Sequence, residues 1–399
     1  MLCQWAHTYD ISEADLRSIV ATFLSVFPDG TLWLVGEADV LLVGSTEPLA
    51  GRLAGIGTAW KRPGVSDDLA SVGARSPLAV LSAFVADGAS LKAWAGGAPI
   101  QTDDLARLEF SGPRSVFGAE RADNARALQD LAAASPRPVA VTQAVAEASA
   151  EDWRDVADML YRADGYAPAL DLFVRIVERS PRDRRALDGL IRAAVPLGRA
   201  PYARDVLAKL AADPVNDEAK LALSQLLASE GAFEDSARIP LGMVQSQPAN
   251  LPAVEQLASI FSDAGDAERL APAVARLRAQ ALDRASTRYY SAALAYMQQR
   301  PDIAIREAEA ALAIDPAYAR AQNVLGAALA GVGQRDRARA AFVSALRLDP
   351  RDPATYSNLA TLEMEAGNVG AARRLFAEAL TLDPSNAVAR EGLTRALTP

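Results

Sequence analysis

The feature that most limits what this chain can fold into is a 34-residue step in its last third. Pro316, Pro350 and Pro384 keep that step, as do Ala304, Ala338 and Ala372, and again Ala311, Ala345 and Ala379. A unit of this length holds two helices of three to four turns, and one such hairpin cannot bury its apolar stripe without a neighbour. Leu325, Gly326 and Leu329 share one helical face, Gly333 allows the reversal, and Ala338, Phe342 and Ala345 form the facing stripe. Small side chains let the two helices approach, Phe342 and Phe376 fill the space beside them, and the prolines end each hairpin.

The pattern resembles the tetratricopeptide repeat, with its W-x2-L-G-x2-Y…A-x3-F…P skeleton. Towards the N-terminus it weakens. Trp153, Ala157, Leu160, Ala169, Phe173 and Pro181 fit one unit, and Leu190, Gly198, Ala203, Leu207 and Pro214 fit the next with one residue fewer. Leu223, Leu227, Gly231 and Pro248 follow, then Leu257, Phe261, Gly265 and Leu277. The unit ending at Pro316 reads as having lost a residue in its turn near Arg300-Pro301. About seven units are expected, closed by a polar-faced capping helix in "SNAVAREGLTRAL".

Composition narrows the function classes. The 399 residues carry a net charge of −9, so no global basic field exists to hold nucleic acid or an anionic membrane. One cysteine, Cys3, and one histidine, His7, leave no intrachain disulfide and no Cys/His zinc site, and point to a reducing, cytoplasmic compartment. Cys3 reads as a small buried hydrophobe. No basic n-region precedes an apolar stretch, and no run reaches the ~18–20 apolar residues that cross a bilayer.

Ahead of the array, "ISEADLRSIVATFLSVFP" has Leu16, Ile19, Val20, Phe23 and Val26 at helical spacing, with Ser12 as N-cap and Asp15 in an imperfect capping box. "TLWLVG" and "DVLLVGS" read as a hairpin, and helices are expected near 48–60, 65–72 and 77–86. "TDDLARLEFSGPRSVF" leads into a strand-like run, and 119–147, broken by "SPRP", reads as a short helix within a linker. The expected division is therefore a module over 1–118, a linker over 119–147 and the array over 148–397.

"CQWAHTYDISEADLRSIVATFLSVFPDGTLWLVGEADVLLVGSTEPL" and "TDDLARLEFSGPRSVFG" resemble the C-terminal third of the spermidine-synthase family. The nearest likeness is to bacterial members fused to a preceding membrane region and following helical repeats. The resemblance implies a late strand of a Rossmann-like sheet, the next helix and the final hairpin. In that family decarboxylated S-adenosylmethionine sits on a Gly-rich turn after the first strand, and the catalytic aspartate follows the fourth. This chain contains no such turn. "MLCQW" thus reads as entering the fold near its end, in a fragment of a longer product or a degenerate descendant. No catalytic residue, cofactor or metal ligand is assigned, and enzymatic activity stays open.

Gln4, His7, Tyr9 and Asp10 read either as a substrate-pocket remnant or as an ordinary loop. Asp103 and Asp104 either attract a polyamine or begin a turn, and "ARLRAQALDRASTR" is a solvated basic face or an anionic partner site. In tetratricopeptide arrays the first helix of each unit lines a concave groove, which implies groove positions at Asn323, Ala327, Ser357, Asn358, Thr361 and Glu365. Asparagines there suit a peptide backbone, and no basic set for a peptide carboxylate is present. The fold class is mainly α, an α-solenoid of tetratricopeptide repeats behind a small α/β module. The expected function is a protein-interaction scaffold with a partial, inactive synthase-like module. The alternative is part of a longer aminopropyltransferase, membrane-tethered or not.

Overall fold

A computed structural model describes residues 1–8, 11–35, 39–45, 49–71, 73–102, 124–163 and 165–397. They form two compact units, Met1–Ala222 and Leu223–Pro399.

The first unit opens with β1 (Leu2–His7), α1 (Glu13–Val26), β2 (Thr31–Val35) and β3 (Asp39–Gly44). Ser12 starts α1 by accepting from the Asp15 amide at 3.1 Å and donating its hydroxyl to the Asp15 carboxylate at 2.7 Å. β2 and β3 pair antiparallel as the expected hairpin, and the sheet runs β1-β3-β2-β4. The fourth strand, β4 (Phe84–Ala86), lies inside the stretch expected to be helical to residue 86. α5 (Pro77–Leu81) stops early, and the three fully buried residues after it pair with β2. The short helices α2 (Ala50–Leu53), α3 (Ile56–Trp60), α4 (Val65–Ser71) and α6 (Gly88–Trp94) complete the module.

Strand alternation sends Leu32, Val40 and Leu42 to one face, where Leu16, Val20, Phe23 and Leu24 of α1 cover them. Trp33 and Phe84 face the other way and meet edge to face at 5.3 Å. The stretch read as a linker is part of these cores. Leu128 of α7 (Asn124–Ala134) joins the first layer, and Val141 of α8 (Val139–Glu147) joins the second; both are fully buried. β1 is the outer strand, with no neighbour among the described residues beyond β3. Cys3 is therefore exposed rather than buried, because no helix among the described residues covers the N-terminal half of β1.

The array begins at a complete capping box, Ser149 with Asp152. Its first hairpins are α9 (Ala150–Arg162) with α10 (Tyr166–Arg179), and α11 (Arg184–Ala194) with α12 (Ala200–Ala211). They belong to the first unit, where Val156 of α9 packs against Leu78 and Ala79 of α5. The boundary between the two compact units falls within α13 (Asp217–Ser229), so the first hairpins of the array share a unit with the N-terminal module.

The second unit continues with α14 (Phe233–Ser246), then three hairpins: α15 (Leu251–Asp263) with α16 (Ala267–Gln280), α17 (Ala285–Met297) with α18 (Pro301–Ile314), and α19 (Ala319–Gly331) with α20 (Arg335–Leu348). α21 (Pro353–Glu365) pairs with α22 (Val369–Leu382), and α23 (Ala387–Leu397) closes the end. Ala304, Ala338 and Ala372, the stripe read from the sequence, are fully buried. Ser224 of α13 and Ser236 of α14, both fully buried, exchange hydrogen bonds with each other's backbone carbonyls.

Five hairpins from α11 onward reverse through a left-handed glycine: Gly198, Gly231, Gly265, Gly333 and Gly367 have φ between +65° and +80°. In the unit before Pro316 that place is taken by Gln299, at φ +57°. Gly265, Gln299 and Gly333 keep the 34-residue step, so this turn has lost nothing, contrary to the sequence reading. The shortening expected in the unit ending at Pro214, three units earlier, is present, since Gly198 and Gly231 are 33 residues apart. A side chain in the left-handed region costs roughly 1–2 kcal/mol, partly offset by glycine's greater freedom when unfolded. Gln299 is solvent-exposed and makes no packing contact that its removal would forfeit. Gln299→Gly is therefore expected to stabilise the protein by about 0.5–1 kcal/mol, read as a higher urea midpoint; a lower midpoint would contradict this account of the turn.

Candidate binding groove

The first helices α15, α17, α19 and α21 begin at residues 251, 285, 319 and 353, so the same face of each recurs every 34 residues. Arg320, in the first turn of α19, links three of them. Its guanidinium pairs with Asp263 at the end of α15, lies 3.3 Å from Ser259 Oγ, and sits 4.9 Å from the ring of Tyr289 on α17. Tyr289 stacks in turn near Tyr290 and Tyr318, at 4.9 and 5.4 Å. Burial pushes the Tyr290 hydroxyl well above the usual tyrosine range and that of Tyr318 up to about 12. These phenols stay protonated and able to donate.

One helix on, Asn358 Nδ2 donates to Asn323 Oδ1 at 2.9 Å, joining α21 to α19. Each amide has further capacity, and whichever way the two are oriented, one donor and one acceptor stay uncommitted. Ala327, one turn beyond Asn323, is half-buried and small. Ser357 is buried and donates to the Pro353 carbonyl at 2.9 Å, and Thr361 donates to that of Ser357 at 2.9 Å. Glu365 is exposed at the end of α21. Of the six positions read from the repeat frame, the structure joins Asn323 and Asn358 directly. It turns the two hydroxyls onto their own helix.

The N-terminal candidates do not converge. Gln4 and His7 lie three residues apart on one strand, so their side chains point to opposite faces. His7 Nδ1 is 3.1 Å from Asp39, its register partner on β3, and its ring packs edge-on against Trp5 at 4.0 Å. Tyr9 and Asp10 lie outside the described residues, as do Asp103 and Asp104. The backbone flanking Tyr9 and Asp10 is held by Asn124, whose Nδ2 donates to the carbonyls of Thr8 and Ile11 at 2.8 and 2.9 Å.

The basic stretch 275–288 is internally matched. Arg276 bonds the Pro248 carbonyl and Arg284 reaches Glu255 at 3.5 Å. Arg278 and Arg288 converge on Glu307 at 2.9 and 3.0 Å. Burial raises the Glu307 carboxyl, but the two guanidiniums outweigh it and hold the group below the ordinary glutamate range. A depressed carboxyl contributes stability that is present above its unfolded value, about 4.3, and lost as pH falls through the folded value. Glu307→Gln should therefore cost about 1–3 kcal/mol at pH 7, and the gap to wild type should narrow below about pH 4 in urea titrations. A pH-independent gap would contradict this role.

No family model matches the chain, and no curated protein does. Among solved structures it is similar to a chain of the APC/C hetero-tetramer Cut9-Hcn1, at 17% identity and a TM-score of 0.47. That match covers 78% of this chain but 63% of the other, so this chain spans less than two thirds of that length. A tetratricopeptide repeat protein from Parabacteroides merdae matches at 12% identity and TM-score 0.46, over 62% of this chain and 98% of that one. MamA matches at 19% and 0.31, over 41% and 96%. These likenesses carry no functional inference. The tetratricopeptide character of the array rests on its own hairpins, its 34-residue step and its buried alanine stripe. No helix among the described residues is long and apolar enough to cross a membrane.

Proposed function

We propose that the chain is a protein-interaction scaffold whose second unit holds an extended peptide segment along its first-helix layer. The observation that carries this reading is the Asn358–Asn323 pair, which leaves a donor and an acceptor together beside the half-buried Ala327. A peptide backbone offers the complementary acceptor and donor at every residue, so such a pair grips an extended chain with little regard to its side chains. Arg320 and its tyrosines brace the neighbouring helices, so the amides sit on a fixed floor. Peptides selected from a random library against the full chain should lose at least tenfold in affinity on Asn323→Ala/Asn358→Ala, measured by fluorescence polarisation. Selected peptides that bind the double variant equally well would place recognition elsewhere.

We further propose that β1, α1, β2 and β3 are the trailing part of a spermidine-synthase-like sheet, silent in catalysis here. The order strand, helix, hairpin, and the place of β1 as the outer strand among the described residues, support this reading. Decarboxylated S-adenosylmethionine and an amine substrate would then concern only a longer aminopropyltransferase, with or without a membrane region. The exposed single cysteine suits a reducing, cytoplasmic setting. S-adenosylmethionine at millimolar concentration should leave the melting temperature of this chain unchanged. A saturable rise would show that a cofactor site is present after all.

A further inference from the structure

The run "SPRDRR", Ser180 to Arg185, crosses from α10 to α11 and breaks a local electrostatic rule. Arg184 and Arg185 occupy the first two positions of α11, where the helix dipole disfavours positive charge, and beyond the N-cap, Asp183, no acidic residue lies in that turn. The same two positions of α13, one unit on, hold Asp217 and Glu218. Arg320 at the second position of α19 also lacks an acidic residue in its turn, but it is paired with Asp263, whereas Arg184 has no such partner among the described residues.

The arginines border a cleft of about 600 Å³, which Arg154, Arg182, Arg184 and Arg185 line together with Asp183 and Asp213. Four guanidiniums face two carboxylates, in a protein whose net charge is −9. Part of the cleft is already matched. Arg154 pairs with Asp183, and Arg185 reaches Asp158 at 3.2 Å and Asp155 at 3.7 Å. Arg182 and Arg184 have no hydrogen-bond or ion-pair partner among the described residues, and the buried Nε of Arg154 is also unpaired. The loop is rigid where it matters. Asn216, 1% exposed, donates to the Pro181 carbonyl at 3.0 Å, Asp183 caps the Ala186 amide at 3.1 Å, and the Asp183 amide bonds the Ser180 carbonyl at 3.0 Å.

We propose that this cleft binds a phosphate monoester group. Arg182 and Arg184 supply two positive charges that no carboxylate among the described residues pairs, and unpaired planar guanidiniums bind the oxygens of a dianion through paired N–H donors. An overall acidic chain is a poor partner for a nucleic-acid polyanion, whereas a local open cleft with two unpaired arginines suits a single group. The bound group would also relieve the repulsion between Arg182, Arg184 and Arg185 at the start of α11. The site lies wholly in the first unit and is independent of the peptide groove.

Calorimetry on the full chain, at ionic strength held constant with chloride, provides the test with two probes: inorganic phosphate and a phosphoserine peptide. Saturable binding of one equivalent is expected, accompanied by a rise in melting temperature. Arg182→Ala/Arg184→Ala should weaken it at least tenfold, while the unliganded variant melts no lower than wild type because like charges have been removed. Asp213→Asn should tighten binding several-fold. A peptide that binds more than tenfold tighter than inorganic phosphate assigns the site to a phosphorylated protein segment; comparable affinities assign it to free phosphate. Absence of saturable binding by either probe, or binding that survives the double arginine variant, overturns the proposal.

Discussion

Neighbouring helices of the array come closest where one of them gives up its side chain, within the α19–α20 hairpin and between successive helices at α10–α11 and α22–α23. A β-carbon built on Gly326 would stand 2.7 Å from the Phe342 ring, one on Gly392 2.2 Å from Phe376, and one on Gly189 2.3 Å from Phe173. Carbon atoms attract best at about 3.5–4.0 Å, so none of these contacts survives an added methyl without movement of the ring. Phe173, Phe342 and Phe376 are among the largest fully buried side chains in the protein. Each ring thus anchors a helix pair through a partner that offers no side chain of its own.

That close approach determines what the remaining faces can do. With the second helices drawn in behind them, α15, α17, α19 and α21 form a layer in which side chains of successive helices meet. Arg320 then reaches Asp263 across α17, and Asn358 reaches Asn323. Neither contact is local: the partners are separated by 57 and 35 residues. Groove geometry is therefore a consequence of packing on the opposite side of the layer. The arginine cleft has a different origin, since its charges sit in the loop that joins two hairpins, where the packing places no demand on side-chain type.

Much of the array was legible because its constraint is steric and repeats. A ring of fixed size needs a small partner at a fixed offset, and that signal appears in Ala338, Phe342 and Ala345 without any structure. Gln299 escaped the reading because the signature of a left-handed turn is glycine, so a glutamine there resembles a deletion. β4 escaped because Phe84, Val85 and Ala86 are buried on both faces and show no alternation. The supposed linker was misread because "SPRP" does end a helix, while the burial of Leu128 and Val141 depends on a sheet far away in sequence. On the first-helix layer, the repeat frame named Asn323 and Asn358, which meet in the structure, but gave no sign of Arg320 with Asp263, since pairing across three helices leaves no local pattern.

Close packing of glycine on a phenylalanine ring thus holds neighbouring helices of the array together. A double-mutant cycle on Gly326 and Phe342, read by urea denaturation, tests it most directly. Gly326→Ala should cost about 1–3 kcal/mol in the wild-type background, as overpacking does, and nearly nothing once Phe342→Leu has removed the ring. Equal costs in both backgrounds, with a coupling energy near zero, would show that the ring and the glycine do not constrain one another and would contradict the account.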